Sequence, residues 1–188
     1  MDALVQRSDE ELARRAVEGC GAAFEELANR HERGVYGFFL RRTGHIQDAE
    51  DLSQRAFVAA WKALGRYDPK RPFRHWLYAI AHRLSIDHYR ARRREEDLVE
   101  AVPEREGMEA WASGEVWDAA RRRLDGAQWT ALWLMYAEGL SVREIAGVLG
   151  RSTVGVKVLL HRARRKLARA WAAEYGWRLP QAEREAVS

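Results

Sequence analysis

Residues 141–165 carry the side chains whose types and spacing most clearly do chemistry, and that chemistry is recognition of a polyanion. Lys157, His161, Arg162, Arg164, Arg165, Lys166 and Arg169 crowd one stretch, with no acid between Arg162 and Arg169. Ammonium and guanidinium groups neutralise phosphates and release their counterions, and Lys or Arg also pairs with guanine edges. The segment reads as helix, turn, helix. Ser141 with Glu144 three residues later is a capping-box spacing, in which each side chain satisfies a free backbone N–H at the helix start. Ile145, Ala146 and Leu149 form one apolar face, Gly150 supplies a turn position that tolerates left-handed backbone, and Ser152 or Thr153 caps the next helix. Val156, Leu160, Ala163 and Leu167 make the inner face of that second helix. In a helix-turn-helix the second helix enters a DNA major groove, so duplex DNA is the leading partner. A basic helix is often only a solvated surface; caps at both helix starts and the acid-free run favour DNA contact here.

A second basic element lies upstream. Lys70, Arg71, Arg74, Arg83, Arg90, Arg92, Arg93 and Arg94 surround Phe73, Trp76, Tyr78 and Tyr89. Arginines hold phosphates, while exposed rings stack on bases that have left the duplex. Helical spacing assigns Trp76 to a core, with Phe73 beside it, and leaves the loop and the terminal arginines as one patch poor in acids.

Bulk properties bound the answer. The 188 residues suffice for one large or two small domains, and the net charge of +4 is mild, so its distribution matters more than its sum. The single cysteine, Cys20, excludes an internal disulfide and a cysteine-based zinc site and fits a reducing compartment. Six scattered histidines show no metal-binding spacing, and no apolar run reaches membrane-spanning length. No signal peptide opens the chain, so a soluble cytoplasmic protein without metal or cofactor is expected.

The elements that must position these groups read as helical throughout. Ser8 to Glu11 is another capping box, opening a helix with Leu12, Ala13 and Ala16 inward that stops near Gly19. A second helix runs from about Ala22 to Arg42, with Phe24, Leu27, Ala28, Val35, Phe38 and Phe39 at helical spacing, and ends at Gly44. A third covers about Asp48 to Leu64, burying Ala49, Leu52, Ala56, Phe57, Ala60 and Leu64. After the turn at Tyr67 to Pro72, a fourth runs from Phe73 to about Arg94, with Trp76, Leu77, Ile80 and Leu84 inward. Seven acids against Arg105 between Glu95 and Glu109, broken by Pro103 and Gly107, suit a flexible acidic linker. Beyond it come a helix near Glu115 to Leu124, another starting at Asp125 with Gln128 at its third position, and the helix-turn-helix. Trp117, Leu124, Trp129, Leu132, Trp133 and Tyr136 are expected as core. The fold class is all-α: two small helical domains, 1–95 and 114–175, joined by the linker 96–113 and followed by a tail, 176–188.

The order of parts resembles the extracytoplasmic-function sigma factors of the bacterial sigma-70 family. Asp48-Ala49-Glu50-Asp51-Leu52 through Gln54, Phe57 and Trp61 resembles the helix that grips the RNA polymerase clamp. Tyr67-Asp68-Pro69, Phe73 to Tyr78, Ile80-Ala81 and Asp87-His88 resemble the segment that opens the −10 element. Tyr136 to Ser141 and on to His161-Arg162-Ala163-Arg164 resembles the −35 reader. Three motifs in order across two domains are far more specific than one.

The resemblance implies a dissociable polymerase subunit that selects and melts promoters, itself making and breaking no bond. Asp48, Glu50, Asp51, Gln54 and Arg55 would lie on one exposed stretch against the β′ clamp, with the β flap as a second polymerase contact. Lys70, Arg71, Phe73, Arg74, His82, Arg83, Asp87 and Arg90 would receive the −10 strand, and holding a base outside the stack costs a few kcal/mol. Ser152, Thr153, Lys157, Val158, His161, Arg162 and Arg165 would face the −35 duplex, with Val158 or Leu159 touching a thymine methyl. An anti-sigma protein is a further partner the family implies. The chain departs from the family pattern at Arg55, where an acid is usual, at Ala79 and Arg83 in the −10 helix, and at Val154 and Val158-Leu159, which make the −35 surface unusually apolar.

Three other classes fit less well, among them a purely structural helical adaptor, which would not need two separate basic surfaces. A stand-alone helix-turn-helix regulator leaves the acidic third helix and the −10-like segment without a role. A nucleic-acid enzyme would need clustered carboxylates, a phosphate-cradling glycine loop or a nucleophile–base pair, and none is legible.

Overall fold

The computed structural model describes residues 2–95 and 114–175, with side chains over 4–92 and 116–169. The acidic linker, the tail and the side chains of Arg93 and Arg94 lie outside the described residues. Among the described residues the secondary structure is helical, and the chain divides into two compact units, Met1–Val102 and Pro103–Ser188.

In the first unit α1 (Asp2–Val5), α2 (Asp9–Val17), α3 (Gly21–Thr43), α4 (Ile46–Ala63) and α5 (Phe73–Glu95) follow in order, with a 3₁₀ turn at Leu64–Arg66. Ser8 caps α2 by accepting the Glu11 N–H at 3.2 Å. The reciprocal half of that box is missing, because the Glu11 carboxylate pairs with Arg7 instead. Four residues are too few to show a periodicity, so α1 was not legible in the sequence. Its carbonyls at Leu4 and Val5 are held by the Arg30 guanidinium, which also reaches the Arg7 carbonyl, Asp9 and Glu26. Gly44, at φ +75°, ends α3 in the left-handed region and donates its N–H to Leu40.

α3 packs against α2 and α4, and α4 against α5; the buried face of α4 carries Ala49, Ser53, Ala56 and Ala60, small residues that let neighbouring helices approach it. Leu12, Leu27, Val35, Phe38, Phe39, Leu52, Leu77 and Tyr78 fill the space between them. On α5 the buried line is Phe73, Leu77, Ala81 and Ser85 with Tyr78 beside it. Trp76, Ile80 and Leu84, expected to point inward, are only half-buried at its margins, as are Phe24, Ala28 and Phe57.

The second unit comprises α6 (Gly114–Arg123), α7 (Gly126–Tyr136), α8 (Val142–Leu149) and α9 (Thr153–Tyr175). Asp125 and Gln128 form a complete capping box at the start of α7, and the buried Gln128 side chain also accepts from Lys166 at 3.0 Å, tying the box to α9. Trp117, Trp129 and Trp133 make the core, the last two stacked at 5.6 Å between ring centres. Tyr136 is not core: it is more than a third exposed, and its hydroxyl accepts from Arg164 Nε at 2.8 Å. Ser141 and Glu144 complete the second box, and Gly150 at φ +61° ends α8.

Candidate nucleic-acid and partner interfaces

Three surfaces are built by these elements. The first is the outer face of α9. The Ser152 hydroxyl accepts the Gly155 N–H at 3.0 Å, which settles Ser152 as the cap and Thr153 as the first helical residue. Gly155 suits that cap, since a Cβ there would sit 3.2 Å from the Ser152 hydroxyl. Val156, Leu160, Ala163 and Leu167 are buried against the rest of the unit, as their spacing predicts. At 100° per residue, Val154, Val158 and Arg165 lie opposite that buried line, with His161 and Arg162 flanking them. Lys157, Val158, Arg162 and Arg165 are exposed, and His161 is half-buried. Val154 is 68% exposed and Val158 42%, whereas Leu159, to the side of that face, is half-buried. Arg164 is drawn away to the Tyr136 ring, 5.6 Å from its centre.

The second surface is the loop before α5 and the stripe that continues it. Asp68 accepts the Lys70 N–H at 3.0 Å, a turn that presents Lys70 and Arg71 to solvent. The buried Tyr67 hydroxyl donates to the Arg71 carbonyl at 2.5 Å, and burial pushes this phenol up to about 12, so it stays a donor. Phe73 is fully buried between Tyr67, Trp76 and Phe24. It therefore shapes the loop from beneath and cannot itself receive a base, which corrects its place among the contact residues.

Arg83, Asp87 and Arg90, spaced four and three apart, are exposed on one face of α5. Half-exposed Trp76, seven residues before Arg83, shares that face, a spacing the sequence carried but that its aromatic character hid. Arg74 and His82 are half-buried and lie off this stripe.

The third surface is on α4. Glu50, Asp51, Gln54 and Arg55 are exposed. Asp48 is not part of that free stretch: it turns to α5 and binds Arg92 at 2.8 Å, with His88 at 3.5 Å. Burial holds the His88 imidazole below the usual histidine range, against the opposite pull of Asp48. Arg55, 3.3 Å from Asp51, supplies a local counter-charge where an acid was the family expectation. Val58 and Trp61, 51% and 46% exposed, extend the same face, and Trp61 packs edge-on to Phe24 at 5.0 Å. Val58 was missed because a lone valine in an alanine-rich helix reads as core.

No group of metal-binding side chains occurs among the described residues, and none of their helices is long and apolar enough to cross a membrane.

Comparison with known proteins matches two families in chain order: Sigma-70 region 2 over residues 27–95 and Sigma-70, region 4 over residues 118–167. The ECF RNA polymerase sigma factor BldN of Streptomyces coelicolor is 34% identical over 170 residues, covering 85% of this chain and 64% of BldN. The RNA polymerase sigma factor CnrH of Cupriavidus metallidurans is 34% identical over 183 residues, covering 86% of this chain and 93% of CnrH. The solved structure of CnrH with the cytosolic domain of CnrY superposes with a TM-score of 0.67 at 33% identity, covering 88% of this chain and 98% of that one. The sigma factor RpoE of Bartonella quintana, solved with the anti-sigma factor NepR, shares the fold at a TM-score of 0.67 and 22% identity, covering 80% and 98%.

Proposed function

The chain belongs to the extracytoplasmic-function sigma factors of the sigma-70 family, and we propose that it seats on core RNA polymerase and directs it to promoters through the three surfaces described. In this reading Glu50, Asp51, Gln54 and Arg55 on α4, extended by Val58 and Trp61, bind the β′ clamp, and the second unit meets the β flap. Lys70 and Arg71 on the loop, with Arg83, Asp87 and Arg90 on α5, receive the −10 strand as it leaves the duplex. Ser152, Thr153, Lys157, Val158, His161, Arg162 and Arg165 face the −35 major groove. Domains 1–95 and 114–175 divide the two recognition tasks, the acidic segment 96–113 connects them, and an anti-sigma protein is the further partner. The work is done in the cytoplasm, where the polymerase is.

One observation carries the reading: an acidic and amide-bearing exposed face on α4 occurs in the same chain as the outward basic face of a capped helix-turn-helix. A DNA-only regulator has no use for the former. The test adds purified chain to core RNA polymerase and measures co-purification, then run-off transcription and footprinting on selected promoters. Polymerase-dependent protection of both −35 and −10 is expected. Tight binding to duplex DNA without polymerase, and no transcription with it, would replace this reading by that of a stand-alone regulator.

A further inference from the structure

We propose that Val154 and Val158 are the specificity-determining pair of α9, reading thymine methyl groups in the −35 duplex; this rests on the promoter-binding reading above. Both are β-branched apolar side chains left 68% and 42% exposed at the centre of the outward face. They stand one turn apart, directly opposite the buried line of Val156, Leu160 and Ala163, so neither can reach the core. Helix propensity gives no reason for valine at exposed positions, where straight-chain residues do better. Lys157, Arg162 and Arg165 flank the pair and supply the phosphate attraction that brings this face to DNA.

A valine side chain has no donor or acceptor for a base edge. In a major groove its complement is the C5 methyl of thymine, where contact removes apolar surface of both groups from water. Leu159 is turned to the side and half-buried, so it leaves this role to the valines. Four residues of helix rise about 6 Å and base pairs about 3.4 Å, so the two side chains address thymines within roughly two base-pair steps of each other.

The experiment uses the full chain on core RNA polymerase. Promoters with a randomised −35 segment are selected by transcription, and each −35 thymine on either strand is then replaced by deoxyuridine, which removes only the methyl. Open-complex formation is expected to fall about 3- to 5-fold at one or two positions, the worth of one buried methyl. Val154→Ala and Val158→Ala should each abolish the uracil effect at its own position while circular dichroism and salt dependence stay unchanged. Selected −35 elements without thymine, or uracil effects that persist in both variants, overturn the proposal. A chain that supports no polymerase-dependent transcription overturns the function beneath it, a result distinct from a promoter indifferent to uracil.

Discussion

Asp48 and Asp51 are three residues apart on one helix and have different surroundings. Asp48 is held by Arg92 and faces His88, whereas Asp51 is open to solvent with Arg55 alongside. Replacing Asp51 and Gln54 together by Lys should therefore abolish co-purification with core polymerase and leave the helical circular-dichroism signal unchanged, since both are exposed. Unaltered co-purification would remove α4 from the polymerase contact. His88 makes a separate prediction. Its burial disfavours the imidazolium; Arg92 and Arg55 add to that, and Asp48 and Asp51 oppose it. The unfolded chain, with histidine near 6.5, thus binds a proton that the folded first unit resists. Stability from this group is full above 6.5 and declines as pH falls through that value toward the lowered one. Urea unfolding at pH 7.5 and 5.5 should show a smaller acid loss in His88→Gln than in the parent chain.

At the scale of elements, α9 is set in place by caps. The Ser141–Glu144 box starts α8, Gly150 at φ +61° ends it, and the Ser152 hydroxyl begins α9 two residues later. Ser141→Ala should cost about 1 kcal/mol, the usual worth of a lost N-cap. Gly150→Ala should cost about 1–2 kcal/mol through backbone conformation alone, because a Cβ there meets nothing within 4 Å. Denaturant melts followed through the second unit's signal would measure both. A neutral Gly150→Ala would mean that the turn relaxes to another geometry.

At the scale of the whole molecule, a net charge of +4 from 32 basic and 28 acidic residues conceals segregated charge: acids on α4, bases along α5 and α9. Attraction to DNA should come from the segregated bases, and salt should weaken promoter binding by the holoenzyme accordingly. Arg162→Ala tests the partition. If Arg162 meets a phosphate, the log–log salt slope falls by about 1 and every promoter suffers alike. If it pairs with a guanine, one position relaxes by about 1–3 kcal/mol and the others hold. Arg83→Ala should alter the preference among −10 variants more than it alters −35 duplex affinity, and equal activity on all −10 variants would remove it from that surface.

Short-range chemistry was readable in the chain itself. Two complete capping boxes and the helix-ending glycines at 44 and 150 follow from residue types at fixed spacings, because their partners lie within one or two turns; the inner face of α9 follows from its helical period. So was the order of region 2 before region 4, since each motif is contiguous. Tertiary packing alone decided the rest. Asp48 leaves the exposed row for Arg92, and Tyr136 leaves the core for Arg164. Phe73 sinks beneath the loop while Trp76 and Val58 stay partly in solvent. Periodicity tells which residues share a face of one helix; which faces a neighbouring helix covers depends on residues tens of positions away.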